Sequence, residues 1–269
     1  MNVSTVVIVT KPHQPDVAHA ATELVAWFKE KGIDASMDPA SARKADLCVV
    51  VGGDGTLLSA ARLMGEHQVP ILAINYGGLG FLTEVTRDEM YPALESALAG
   101  RAATNSRMMI DVSVRREKTV VETYHALNDA VIHKGALARI MELDASVDGQ
   151  YVSKFRSDWL ILATPTGSTA YNVSAGGPIV YPTMAAIIMT PISSHTLTNR
   201  PVVLPAESVV EIVLRSVPDD VYLTVDGQVG KKLEHGERVV VRRSERLVYL
   251  IAPAGKEFFD VLRDKLKWG

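Results

Sequence analysis

The chain has 269 residues, 47% of them hydrophobic, and its 28 Lys and Arg against 31 Asp and Glu give a formal net charge of −3. That length supports two domains with a core each, and that charge excludes the broad positive field needed to bind a phosphate backbone, so nucleic acid is not an expected partner. The single cysteine, Cys48, excludes a disulfide framework within the chain and, lying in the apolar run 47–51, reads as a small buried hydrophobe.

At the N-terminus no basic segment precedes the short apolar run 6–9, and a secretory signal or membrane span would need a longer one. The expectation is a soluble cytoplasmic protein with no membrane partner. Residues 6–9 read as a strand, and residues 17–31, where Ala21, Leu24, Val25 and Phe28 recur at helical spacing, as a helix closed by Gly32. The apolar run 47–51 passes directly into Gly52-Gly53-Asp54-Gly55 and then a helix to about Met64, after which 69–74 reads as a strand. Strand and helix in alternation predict a parallel sheet with helices on its faces.

Residues 87–98 read as one more helix, closed by Gly100. Beyond it the texture changes to alternating segments at 109–114, 138–147, 209–214, 221–225 and 239–241. The last stretch, 258–268, carries Phe259, Leu262 and Leu266 at helical spacing and is expected to pack back on the fold. The expectation is therefore an α/β N-terminal domain over 1–100, a β-rich domain over 101–250 and a closing segment over 251–269.

Gly52-Gly53-Asp54-Gly55-Thr56 sits where an open α/β sheet places ligands, after a buried strand and before a helix. Glycines there bring backbone N–H groups close to phosphate oxygens, and the helix N-terminus favours negative charge. A carboxylate beside bound phosphates is repelled unless a metal intervenes or it works as a base on an incoming hydroxyl, so Asp54 argues for phosphoryl transfer. The blander reading is a tight turn with Asp54 as the helix N-cap. The loop is neither a Walker A motif nor a GxGxxG fingerprint, and on its own it leaves several kinase families open.

A second glycine-rich loop, residues 75–82, follows the next strand and leaves the same edge of the sheet. Asn128-Asp129 interrupts an apolar pattern with an amide and a carboxylate, a pairing suited to the hydroxyls of a ribose, or to a surface turn. Residues 157–178 are the most distinctive stretch: an apolar strand ends at Thr164-Pro165, and 166–174 then supplies hydroxyls and N–H groups that can bind a polar nucleotide without net charge. Ser168 lacks the spacing of a nucleophile elbow. The histidines, His13, His19, His67, His125, His133, His195 and His235, show no ligand-like spacing, so no protein-held metal site is expected.

Gly52-Gly53-Asp54-Gly55, residues 75–82, Asn128-Asp129, the Thr-Pro-Thr-Gly-Ser-Thr-Ala-Tyr run at 164–171 with Ser174-Ala175-Gly176-Gly177-Pro178, and Asp226-Gly227-Gln228 together resemble the NAD kinase family in order and spacing. The Gly-Gly-Asp-Gly loop is shared with diacylglycerol, sphingosine and phosphofructo-kinases, whereas the 164–171 run is close to diagnostic. The resemblance implies Asp54 as proton acceptor and Gly55 as a nucleotide contact. It implies NAD contacts at Asn128, Asp129, Arg139, Arg156 and Asp158, at Thr169, Ala170, Tyr171, Asn172, Val173 and Ser174, and at Gln228. It further implies an α/β domain followed by a β-rich one with NAD between them, a homo-oligomer, and ATP or another nucleoside triphosphate, or polyphosphate, as donor. A divalent cation, Mg²⁺ by preference, would be carried in on the triphosphate. Trp159 stands where the family pattern usually has glycine, and Tyr181 where a histidine or small polar residue is common.

Overall fold

The computed structural model describes residues 3–11, 14–78, 80–135, 140–192, 199–216, 220–252, 255 and 257–268. They fall into two compact units, one of Met1–Ser106 with Val248–Gly269 and one of Arg107–Leu247.

The first unit begins β1 (Thr5–Thr10), α1 (Pro15–Glu30), β2 (Asp34–Ser36), β3 (Leu47–Gly52), α2 (Asp54–Met64), β4 (Ile71–Asn75) and α3 (Met90–Leu98). The four strands lie in the order β2-β1-β3-β4, all parallel. Every residue of β3 and β4 is buried, as continuous apolar runs covered on both faces must be. The apolar spacing noted in α1 turns Val17, Ala20, Ala21, Leu24 and Phe28 onto the sheet, joining Leu47, Val49, Val51, Leu72 and Ile74 in one core. Cys48 is fully buried in β3, and loss of solvation pushes its thiol up to about 12.

Three boundaries depart from the sequence reading for identifiable reasons. The helix expected from residue 17 begins at Pro15, whose fixed φ suits a first helical position. The strand expected from residue 69 begins at Ile71, after Pro70, which has no N–H for a ladder. The helix expected from residue 87 begins at Met90, because the Glu89 carboxylate accepts from the backbone N–H and hydroxyl of Thr86 and holds the preceding residues in a turn.

The second unit is built from β5 (Thr104–Arg116), whose first residues belong to the first unit, β6 (Thr119–Ala126), β7 (Asp129–Lys134), β8 (Met141–Val147), β9 (Gln150–Ser157), β10 (Trp159–Ala163), the single turn α4 (Tyr171–Ser174), β11 (Ala186–Ile192), β12 (Val202–Pro205), β13 (Val210–Leu214), β14 (Val221–Val225), β15 (Val229–Lys232) and β16 (Arg238–Ile251). Six strands form one sheet in the order β12-β11-β10-β7-β14-β15. The facing layer holds β9, β8, β13 and the first half of β16, with the β5–β6 hairpin. Alternate residues of the two layers, among them Ile110, Ile132, Leu143, Leu160, Leu162, Ile187, Ile212, Leu223 and Val241, form a single sandwich core.

The segment read at 109–114 lies inside the much longer β5, and that at 239–241 is the buried start of the much longer β16, because periodicity marks only the residues that face a core. The strand read from residue 138 is described from Met141; Ala138 and Arg139 lie outside the described residues.

The chain ends in α5 (Phe258–Leu266), a helix of the first unit whose Glu257 and Asp260 form a reciprocal capping box. Its buried side chains are Val261 and Leu262, while Phe259 is 54% exposed. The face expected to carry Phe259 is thus rotated, since Val261 and Leu262 are neighbours in sequence and pull the buried stripe away from it.

Candidate active site

In the first unit, Gly52 ends β3 and Gly53 stands at the N-cap of α2, so Asp54 is the first helical residue and not its cap. Its carboxylate turns towards the second glycine-rich loop. Asp54 Oδ2 accepts from the backbone N–H of Phe81 at 2.8 Å, and Oδ1 accepts from the N–H groups of Leu82 and Thr83 at 3.2 and 3.0 Å and from the Thr83 hydroxyl at 2.9 Å. Gly80 permits this approach: a Cβ there would lie 2.0 Å from Asp54 Oδ1 and 2.3 Å from Thr83 Oγ1. The amide of Asn75 donates to the Gly78 and Thr83 carbonyls and the Thr83 hydroxyl, and its oxygen accepts from Gly77 N–H. Asp54, Thr83 and Asn75 therefore tie both glycine-rich loops into one rigid edge. Oδ2 accepts once in this network, which leaves a lone pair for an incoming hydroxyl. Gly55 is exposed in the first turn of α2. Leu79 lies outside the described residues.

In the second unit the organising residue is one that sequence reading passed over as a site. Asp226, in a left-handed conformation at φ 51°, accepts through its carboxylate from the backbone N–H groups of Leu127, Asn128 and Asp129 at 3.1, 2.8 and 3.2 Å. Its sequence signal was the Asp-Gly turn between two apolar strands. From the other side, Thr164 N–H donates to the Asn128 carbonyl at 2.8 Å and the Thr164 hydroxyl to the Leu127 carbonyl at 2.6 Å. Gly167 rides so close to Asn128 that a Cβ would lie 2.1 Å from the Asn128 carbonyl oxygen.

This clamp fixes the Asn128-Asp129 backbone and leaves the Asn128 amide oxygen without a protein partner. Asn128 Oδ1 and Thr166 Oγ1 are buried and unpaired. Asp129 is 2% exposed, and burial, followed by the repulsion of Asp226, pushes its carboxyl up to about 7. Buried polar groups left open in this way await hydrogen-bonding ligand atoms.

The other expected site residues divide into groups. Asn172 is fully buried and fully used: its amide donates to the Ser168 and Pro178 carbonyls, and its oxygen accepts from Thr190 at 2.6 Å. The Thr169 hydroxyl donates to Thr166 O at 3.3 Å. Tyr171 and Ser174 are exposed, and Ala170 and Val173 half-buried, around the turn of α4. Gln228 is exposed on the β14–β15 turn beside Asp226. Arg156 sits on the outer side of the β8–β9 hairpin against Glu142, 3.3 Å away, and Asp158 is held 3.6 Å from Lys134. Arg139 lies outside the described residues, as do His13 and His195. Among the described residues no group of three or more His, Cys, Asp or Glu is placed to hold a metal ion.

Trp159 begins β10 in cross-strand register with His133 of β7, which is in register with Tyr222 of β14. The Trp159 and His133 rings are 5.1 Å apart, His133 and Tyr222 stack at 5.7 Å, and Tyr171 lies 5.9 Å from Trp159. Four aromatic rings thus form a row on one sheet face.

Residues 35–102 match the ATP-NAD kinase N-terminal domain and residues 127–252 the ATP-NAD kinase C-terminal domain. NAD kinases of Geotalea daltonii and Geobacter sulfurreducens are each 47% identical, over 98% of this chain and 98% of theirs. Among solved structures, yeast NADH kinase complexed with NADH matches with a TM-score of 0.91 at 27% identity, covering 100% of this chain and 89% of that one. The NAD kinase from Archaeoglobus fulgidus in complex with ATP matches with a TM-score of 0.81 at 25% identity, covering 98% and 100%. A shared sequence running through both units, with both glycine-rich loops and the Asn128-Asp129 clamp in place, makes this chain a member of the NAD kinase family.

Proposed function

We infer that this chain is an NAD kinase, which transfers a phosphoryl group onto NAD to give NADP, the acceptor being the 2′-hydroxyl of the adenosine ribose. The observation that carries the reading is the match along both units to relatives that are NAD kinases over nearly their whole length. The unpaired Asn128 amide oxygen and buried Asp129 carboxyl support a ribose-binding role, because a vicinal diol offers two donors to two acceptors. Arg139, Arg156, Asp158, the 169–174 segment and Gln228 are proposed to complete the NAD contacts.

Asp54 acts as general base through Oδ2, taking the hydroxyl proton as that oxygen attacks the γ-phosphorus of ATP. Gly55 and the start of α2 offer backbone N–H groups to the phosphates. The Mg²⁺ enters with the triphosphate as part of the substrate, and positioning supplies most of the rate. The enzyme is proposed to work in the cytoplasm as a homo-oligomer.

The test is incubation with NAD, Mg²⁺ and ATP or polyphosphate, with NADP read by an NADP-specific dehydrogenase; no NADP from any donor would refute the reading. Asp54→Asn keeps shape and most hydrogen bonds but removes the base, so kcat should fall by about 10²–10⁴-fold with NAD affinity little changed. Near-normal turnover would leave Asp54 only its tie to the 81–83 backbone.

A further inference from the structure

Asp54 takes its backbone hydrogen bonds from residues 81–83, and one side chain of that segment is held from outside the loop. Phe81, whose N–H donates to Asp54 Oδ2 at 2.8 Å, lies beneath α5: the Lys265 ammonium sits over its ring, 5.6 Å from the centroid. Both residues are half-buried. A cation over a ring is drawn to the negative face of its quadrupole, and the attraction strengthens as water is removed. Among the described residues no carboxylate pairs with Lys265, whereas Arg263 in the same last turn pairs with Asp260.

The helix that presents this ammonium is braced at both ends. The Glu257–Asp260 capping box closes its start, and Val261 and Leu262 are buried. Lys267, left-handed at φ 56°, ends it, and the Trp268 N–H donates to the Arg263 carbonyl at 3.2 Å. Lys265 is thus carried on a fixed helix end.

The loop beneath it needs such a hold. Gly77, Gly78 and Gly80 precede Phe81 and give the backbone freedom that side chains would deny it. The ring and the N–H of Phe81 share one Cα, so a ring held by α5 limits how far that N–H can turn. Oδ2, which this N–H contacts, is the oxygen read above as the proton acceptor.

We propose that Lys265 is a positioning residue: by holding the Phe81 ring it fixes the N–H that aims Asp54 Oδ2, and so makes the C-terminal helix α5 a brace for the general base. The proposal rests on the kinase reading above, and the experiment separates the two. Lys265→Met, Lys265→Arg, Arg263→Gln and Lys265→Met in a Phe81→Leu background are compared with their parents in steady-state NADP formation. Amide hydrogen exchange at Phe81, Leu82 and Thr83 is followed alongside. Losing the contact can cost no more than the contact is worth, so Lys265→Met should lower kcat by about three- to thirtyfold, with KM for NAD and ATP unchanged. Lys265→Arg keeps a cation over the ring and should restore kcat. In the Phe81→Leu background Lys265→Met should do nothing further, since its partner is already gone. Arg263→Gln removes a charge from the same turn without touching Phe81 and should leave kcat as it is. Wild-type kcat in Lys265→Met would overturn the proposal. So would a loss that Lys265→Arg does not restore, that persists in the Phe81→Leu background, that Arg263→Gln reproduces, or that appears in KM alone. Should wild type make no NADP from any donor, the kinase reading fails by itself. The brace is then judged by exchange: faster exchange at residues 81–83 in Lys265→Met sustains it, and unchanged exchange refutes it.

Discussion

Asp129 is the residue whose environment most changes its chemistry. Buried and facing the charge of Asp226, it holds its proton up to about pH 7 in the folded chain, against about 4 when unfolded. A carboxyl whose folded value is raised contributes stability that is fully present below the unfolded value and is lost as pH rises through the folded one. The folded chain should therefore lose stability between about pH 4 and pH 7 through this group. Asp129→Asn removes the buried charge with little change in shape, so its melting temperature relative to wild type should rise steadily across that window and level off above it. A constant difference across the window would show that Asp129 is ionised throughout. NAD binding should run the opposite way. An ionised carboxylate accepts from hydroxyls more strongly than a neutral one, so wild-type NAD affinity should fall as pH drops through about 7, while that of Asp129→Asn stays flat.

Among the elements, the 75–83 loop shows how a glycine can be fixed by a partner far away in sequence. Gly80 is required by the carboxylate of Asp54, not by an unusual φ, since its Cβ would overlap Oδ1 and Thr83 Oγ1. Gly80→Ala must push the loop or the carboxylate aside and break up to four hydrogen bonds, each to a charged group worth about 1.5–3 kcal/mol. The atoms nearest this Cβ belong to Asp54 and Thr83 and not to the apolar core, so the fold should survive with a lowered melting temperature while turnover falls by at least tenfold. Full activity in Gly80→Ala would mean that the tie is dispensable. Sequence reading found both glycine-rich loops and the Asn128-Asp129 pair, because glycine clusters after apolar runs and polar interruptions in a strand are local signals. It missed the use of Asp54 as an anchor for residue 81–83 backbone and of Asp226 as the clamp on 127–129. Those partners stand 27–29 and 97–99 positions apart, and no local pattern reports them. The side chain of Asn172 likewise ties α4 to β11, a structural use that its place in a hydroxyl-rich run does not announce.

For the whole molecule, the change from alternating strand and helix to strand-rich texture was readable because the two sheets solve burial differently. Helix-covered parallel strands are apolar throughout, while sandwich strands such as β14 alternate. Strand order and pairing were not readable, since β16 has partners more than a hundred residues away. The six-stranded sheet of the second unit leaves on one face the row Tyr171, Trp159, His133 and Tyr222. Trp159 is half-buried within the chain and has its ring supported on two sides. A rigid, part-exposed indole on a sheet face suits the centre of a subunit contact, where such residues contribute about 2 kcal/mol or more. In the proposed homo-oligomer, Trp159→Gly should then raise the concentration at which subunits separate by about 30-fold, measured by sedimentation or light scattering across a dilution series. NAD affinity per assembled subunit should stay near wild type. If the indole instead stacks on the dinucleotide, the same variant keeps its assembly but binds NAD more weakly, and NAD-induced quenching of tryptophan fluorescence is largely lost. Only Trp27 and Trp268 remain as background emitters, so the two outcomes can be told apart in one titration.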